Sequence, residues 1–162
     1  MNSGKQNIFG AISKGFSLIE LVIVILLIGI FTAIAMTRTN TGLSIIREQI
    51  AIDQITSDID LARSMAFGKG KTISIIFNDQ DESYTLYEGS TLISDFPNSD
   101  NGTIQLDNSM LKDVNIQSVS LGGTNNNELK FLPLGDVEYG GSILLNTKTI
   151  SIEQVSGKWS VN

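Results

Sequence analysis

Residues 16–36 constrain this chain more than any others. They read FSLIELVIVILLIGIFTAIAM and are apolar except for Ser17, Glu20, Gly29 and Thr32. At about 1.5 Å per residue, a helix over these positions spans roughly 31 Å, close to the roughly 30 Å hydrocarbon core of a bilayer. The stretch therefore predicts a membrane helix. Glu20 is its one charge before Arg38. A carboxylate in such a run is costly, so it is kept for a reason or is a tolerated accident.

Two other readings stay open on these residues. A buried core helix of this length belongs to a larger protein than 162 residues. An ordinary secretory signal peptide, cut after the small-x-small run Ala33-Ile34-Ala35, would free a soluble protein starting at Met36. Against it stand the length of the run and the acid inside it. Residues 1–15 are polar, with Lys5 and Lys14, and read as a leader. Lys5, Lys14 and the free amino terminus at one end, against Arg38 and Arg47 at the other, tip the N-terminus weakly towards the cytoplasm.

After Met36 the chain holds 9 basic and 16 acidic residues, a net charge of −7. That surface repels phosphate backbones and disfavours DNA as a partner. The chain has no Cys and no His, which removes disulfides, thiol nucleophiles, imidazole bases and the usual zinc ligands.

Poor helix formers at residues 37–42 predict a kink or loosening of the helix. The helical pattern then resumes. Ile45, Ile52, Ile55, Ile59, Ala62 and Ala66 form one apolar stripe, with Arg47, Glu48, Asp53, Asp58, Asp60 and Arg63 mostly off it, facing water or a neighbouring chain. Gly68-Lys69-Gly70 ends the helix with a glycine cap. Short alternating runs follow at 72–78, 83–89, 91–96, 102–106, 114–121, 128–132, 142–146, 149–154 and 158–161, separated by polar and glycine turns at 97–102 and 122–127 and by a loop at 135–141. The expected fold class is α+β: a long N-terminal helix, half transmembrane and half amphipathic, packed on a C-terminal antiparallel β-sandwich.

The run Gly15-Phe16-Ser17-Leu18-Ile19-Glu20-Leu21, with Gly29 further in, resembles the class III signal of type IV pilins and pseudopilins. The resemblance implies that a prepilin peptidase cuts between Gly15 and Phe16 and methylates the new Phe16 amine. Glu20 then lies about one turn away and pairs with that amine in its own chain or the next subunit, while Leu21 and Gly29 serve helix packing. If Glu20 has no such role, it sits at headgroup depth and favours the positive helix N-terminus. The implied domains are 1–15 leader, 16–37 transmembrane helix, 38–69 amphipathic continuation and 70–162 periplasmic β-sandwich. The implied partners are the prepilin peptidase, other pilins or pseudopilins, an inner-membrane assembly platform and membrane lipid.

Asp60-Leu61-Ala62-Arg63-Ser64-Met65-Ala66, and Phe131-Leu132-Pro133-Leu134-Gly135 with the following glycine loop, resemble the type II secretion protein H and fimbrial T group of minor pilins. Phe131 and Leu132 themselves read as plain core residues. Thr37 stands where major pilins usually carry a helix-bending proline, which favours a minor role. Some fimbrial T members bind DNA through arginines after a C-terminal glycine. Here Gly157 is followed by Lys158-Trp159-Ser160.

Asp79, Asp81 and Glu82 could gather a calcium ion, although a solvated hairpin turn is the simpler reading. Asp58 and Asp60 are two apart on a helix and make a poor acid–base pair. Trp159 reads as core or rim. No catalytic set, metal site or cofactor is expected. The sequence supports a minor pseudopilin or minor pilin of a type II secretion pseudopilus or a type IV pilus, near the filament tip. The alternative is an adhesin-like β-sandwich module, anchored or secreted.

Overall fold

The computed structural model describes residues 15–122 and 126–162, and of 37–41 the backbone alone. The leader, up to Lys14, and residues 123–125 of the expected turn lie outside the described residues. Among those described, the fold is α+β. Helix α1 (Leu18–Lys69) precedes strands β1 (Ile73–Asn78), β2 (Ser83–Glu88), β3 (Thr91–Leu92), β4 (Thr103–Gln105), β5 (Ser118–Leu121), β6 (Glu128–Phe131), β7 (Gly141–Leu144), β8 (Thr149–Ile152) and β9 (Trp159–Val161). Residues 37–42 lie within α1 as helix. The few tenths of a kcal/mol that each Thr or Asn costs a helix do not override the strong turns on either side.

The chain divides into two units at Asn40. In the first, residues Leu18–Met36 are helical with a mean hydropathy of 2.9, and none of them is buried. The second carries the folded core. Its part of α1 ends as a glycine-capped helix should: Gly70 takes a φ of +62°, and the Lys71 N–H donates back to the Ala66 carbonyl at 3.3 Å. The buried stripe comprises Ala51, Ile52, Ile55, Ile59, Ala62 and Ala66. Ile45 is exposed instead, and Glu48 takes the first buried turn.

Two antiparallel sheets complete the core around this stripe. In one, β1 lies between β6 and β2, while β3 and β4 share the outer edge of β2. In the other the order is β5-β7-β8-β9. Ile73, Ile75 and Phe77 of β1 and Tyr84 and Leu86 of β2 meet Ile143, Ile150 and Ile152 of the second sheet in a single hydrophobic cluster.

The loop expected at 135–141 stitches the two sheets together. Val137 pairs with Phe131 at the end of β6 and with Val155 beyond β8, exchanging two N–H···O bonds of 3.2 Å with the latter. The runs at 91–96 and 114–121 keep only Thr91–Leu92 and Ser118–Leu121 as strand. Their remaining apolar residues, Phe96, Val114 and Ile116, are buried without forming strand ladders. Of the expected core pair in 131–132, Phe131 is fully buried, whereas Leu132 is 37% exposed because the chain turns to the Val137 bridge there.

Candidate functional site

The N-terminal end of α1 presents the sequence-predicted site residues together. The Ser17 carbonyl accepts the Glu20 N–H at 3.0 Å and the Leu21 N–H at 3.2 Å, so Ser17 is the N-cap and Glu20 the third helical residue. The N–H groups that open this turn lack helical acceptors up to Ile19, and a carboxylate at the third position complements their positive field. Phe16 precedes the cap and is 81% exposed. A chain beginning at Phe16 would carry its ammonium group about one turn before the Glu20 carboxylate. The arrangement can hold an ion pair within one chain, or offer one charge of each sign to a neighbour.

Leu21 is exposed, and a side chain at Gly29 would meet nothing within 4 Å, so both leave open helix surface available for packing. Thr32 satisfies its hydroxyl internally, donating to the Ile28 carbonyl at 2.7 Å. A hydroxyl held in this way costs little inside hydrocarbon.

The polar flank of the domain half of α1 does not simply face water. Asp53 is exposed there, but several of its neighbours tie the helix to loops of both sheets. Arg47 meets Asp113 at 3.4 Å. The Arg63 Nε–H donates to the Gly135 carbonyl at 3.0 Å, and the Trp159 indole N–H donates to both Asp60 oxygens at 3.2 Å. Glu48 is only 3% exposed. It accepts the Thr147 N–H at 2.6 Å, the Thr147 hydroxyl at 2.7 Å and the Lys148 N–H at 3.0 Å. Burial pushes the Glu48 carboxyl up, but these donors, together with the nearby Lys148 ammonium, outweigh it and hold the group below the usual carboxylate range.

Asp58 is buried and accepts the Tyr84 hydroxyl at 2.5 Å. Its single buried donor does not offset desolvation, so burial raises the Asp58 pKa despite Tyr84. A folded-state value above the unfolded one contributes stability below the unfolded pKa, and that contribution is lost as pH rises through the folded value. The ionised Asp58 therefore weakens the fold at neutral pH. Asp58→Asn is expected to raise stability at pH 7 by about 0.5–1 kcal/mol and to lose that gain near pH 3.5, as read by urea denaturation at both pH values.

The acids around the β1–β2 turn separate. Asp81 accepts the Asn78 amide at 2.7 Å, and Glu82 reaches across to accept the Ile116 N–H. Among the described residues no cluster of three acids gathers in a way that could hold a metal ion.

Residues 11–36 match the family described as "Prokaryotic N-terminal methylation motif". That match covers both predicted processing residues, Gly15 and Phe16, together with Glu20, Leu21 and Gly29. No curated protein matches the chain. Among solved structures, the chain is similar to the type IV minor pilin FimU of Pseudomonas aeruginosa, with 14% identity, covering 70% of this chain and 87% of that one at a TM-score of 0.46.

Proposed function

We propose that this type IV pilin-like chain, which carries the N-terminal methylation motif, is a minor structural subunit of a membrane-anchored filament and joins its neighbours through α1. The motif implies processing by a prepilin peptidase and assembly with other pilins. The observation that carries the reading is the pairing of that motif with an apolar helix of membrane length whose residues are all exposed. An exposed run of nineteen residues, apolar except for Glu20, Gly29 and Thr32, requires lipid or other helices around it. The need extends past the membrane segment: Leu43, Ile46 and Ile50, spaced three and four apart, are exposed on a helix flank away from the core.

In this proposal cleavage falls between Gly15 and Phe16, Phe16 is N-methylated, and Glu20 neutralises the Phe16 amine of its own or the next subunit. Residues 16–37 cross the inner membrane, 38–69 continue the helix and 70–162 form the periplasmic domain. The lack of a helix-bending proline at Thr37 supports a minor subunit near the tip of a type II secretion pseudopilus or type IV pilus.

Mass spectrometry of the mature N-terminus tests the reading. N-methyl-phenylalanine at Phe16 is expected; a start at Met36 would sink it in favour of a secreted module. Glu20→Ala is expected to leave cleavage and N-methylation at Phe16 unchanged while lowering incorporation into sheared filaments by about tenfold, the loss of roughly 1.4 kcal/mol from an ion pair screened by protein and lipid. Wild-type incorporation of the variant would remove the charge-pair role.

A further inference from the structure

The last turns of α1 carry a groove that the assembly reading does not use. Two adjoining depressions of about 520 Å³ and 460 Å³ share Asp60 and Arg63 as their common floor. One runs to Phe67 and Leu134, the other to Lys158 and Trp159. Phe67 is 69% and Leu134 76% exposed, two large apolar side chains lining the first depression.

The polar floor is held in place from within. Arg63 Nε is fixed by the Gly135 carbonyl, which leaves the two terminal nitrogens of its guanidinium without a partner among the described residues. Asp60 is occupied by the Trp159 indole. Among the described residues Arg47, Lys69, Lys71 and Lys130 each contact a carboxylate, whereas Arg63, Lys112, Lys148 and Lys158 do not, and of these four Arg63 and Lys158 line the groove. Arg63 and Lys158 thus share the groove with one acid, Asp60, which leaves it a net single positive charge beside exposed apolar side chains, on a domain that is otherwise strongly acidic.

We infer that this groove docks a segment of a partner protein carrying one carboxylate flanked by bulky apolar side chains. A guanidinium with its fork free matches a carboxylate in two-point geometry. Phe67, Leu134 and the Trp159 ring supply the aromatic and aliphatic contact area that anchors such a segment. The acidic remainder of the domain favours a single local carboxylate over an extended polyanion, whose further phosphates would be repelled. The groove lies within the folded domain, so its occupation does not depend on the processing of the N-terminus.

Trp159 is the only tryptophan in the chain and lies in the groove, so its fluorescence reports occupancy. The full chain in detergent micelles is titrated with the capped peptide Leu-Asp-Phe and its Leu-Asn-Phe counterpart. A saturable change is expected with the first, with affinity falling about tenfold for the second and for Arg63→Gln. Phe67→Ser and Lys158→Ala, both at exposed positions, should also weaken binding while leaving the melting curve unchanged. The inference fails if Leu-Asp-Phe gives no saturable change, if the two peptides bind alike, or if Phe67→Ser and Lys158→Ala are both silent. A response to a short DNA duplex but not to the peptide would assign the groove to nucleic acid and overturn it.

Discussion

Replacing Gly141 with alanine is expected to disrupt the second sheet at its centre. Gly141 lies in β7, opposite Leu121 of β5 on one side and Ile152 of β8 on the other. A Cβ there would sit 2.2 Å from the Ser120 carbonyl oxygen and 2.7 Å from the Leu121 Cα. Both are backbone atoms, so no side-chain rotation relieves the overlap, and β5 must move off β7. Overpacking usually costs 1–3 kcal/mol, and a clash with backbone on a central strand belongs at the upper end, about 3 kcal/mol or more. For a domain of this size that is a fall of roughly 10 °C in Tm. Trp159 fluorescence on the detergent-solubilised chain reads it directly. An unchanged melting curve would mean that the approach of β5 to β7 is looser than described.

Glu48→Ala should cost a similar amount by a different route. It leaves two N–H groups and a hydroxyl of the turn between β7 and β8 facing a cavity where a buried carboxylate had satisfied all three. Losing charge-assisted bonds at a buried site costs about 2–4 kcal/mol. The effect carries a pH signature. Glu48 has a folded pKa below its unfolded value, so its contribution is present above the unfolded pKa of about 4.3 and is lost as pH falls through the lower folded value. The stability gap between the wild type and Glu48→Gln should therefore be full at pH 7 and shrink steadily below about pH 4. Urea denaturation across that range checks both size and slope. A gap independent of pH would show that packing, not charge, holds the turn.

Much of the fold was legible because the periodicities were strong. An apolar run of membrane length, a stripe at Ile52, Ile55, Ile59, Ala62 and Ala66, and alternation in Ile73, Ile75 and Phe77 all appear where they were expected. What could not be read is where polar groups find partners far along the chain. The stripe reading sets Glu48 off the apolar face, towards water or a neighbouring chain, yet it lies four residues before Ile52, in phase with the buried stripe. An acid in phase with a core stripe is the signal that could have found it. Its donors, Thr147 and Lys148, are about a hundred residues away, and no local pattern announces them. The same holds for Asp58 with Tyr84 and for Arg63 with Gly135. At the N-terminus the motif itself points to Gly15, Phe16 and Glu20, whereas the groove at Arg63 depends on loops brought together only by folding.

The ties along α1 also decide how the domain carries load. From Arg47 to Arg63 they are spread over roughly 24 Å of helix axis, and they reach strand β2 and the loops at Asp113 and Gly135. Tension applied along that axis would pull on all of them in parallel. The helix would have to slide as a whole past several loops before any part came free, which is the shearing arrangement, as opposed to a hinge that opens one contact at a time. Such a domain can be heavily stressed lengthwise, and the pairing of Lys69 and Lys71 with Glu88 of β2 anchors the end of the helix as well.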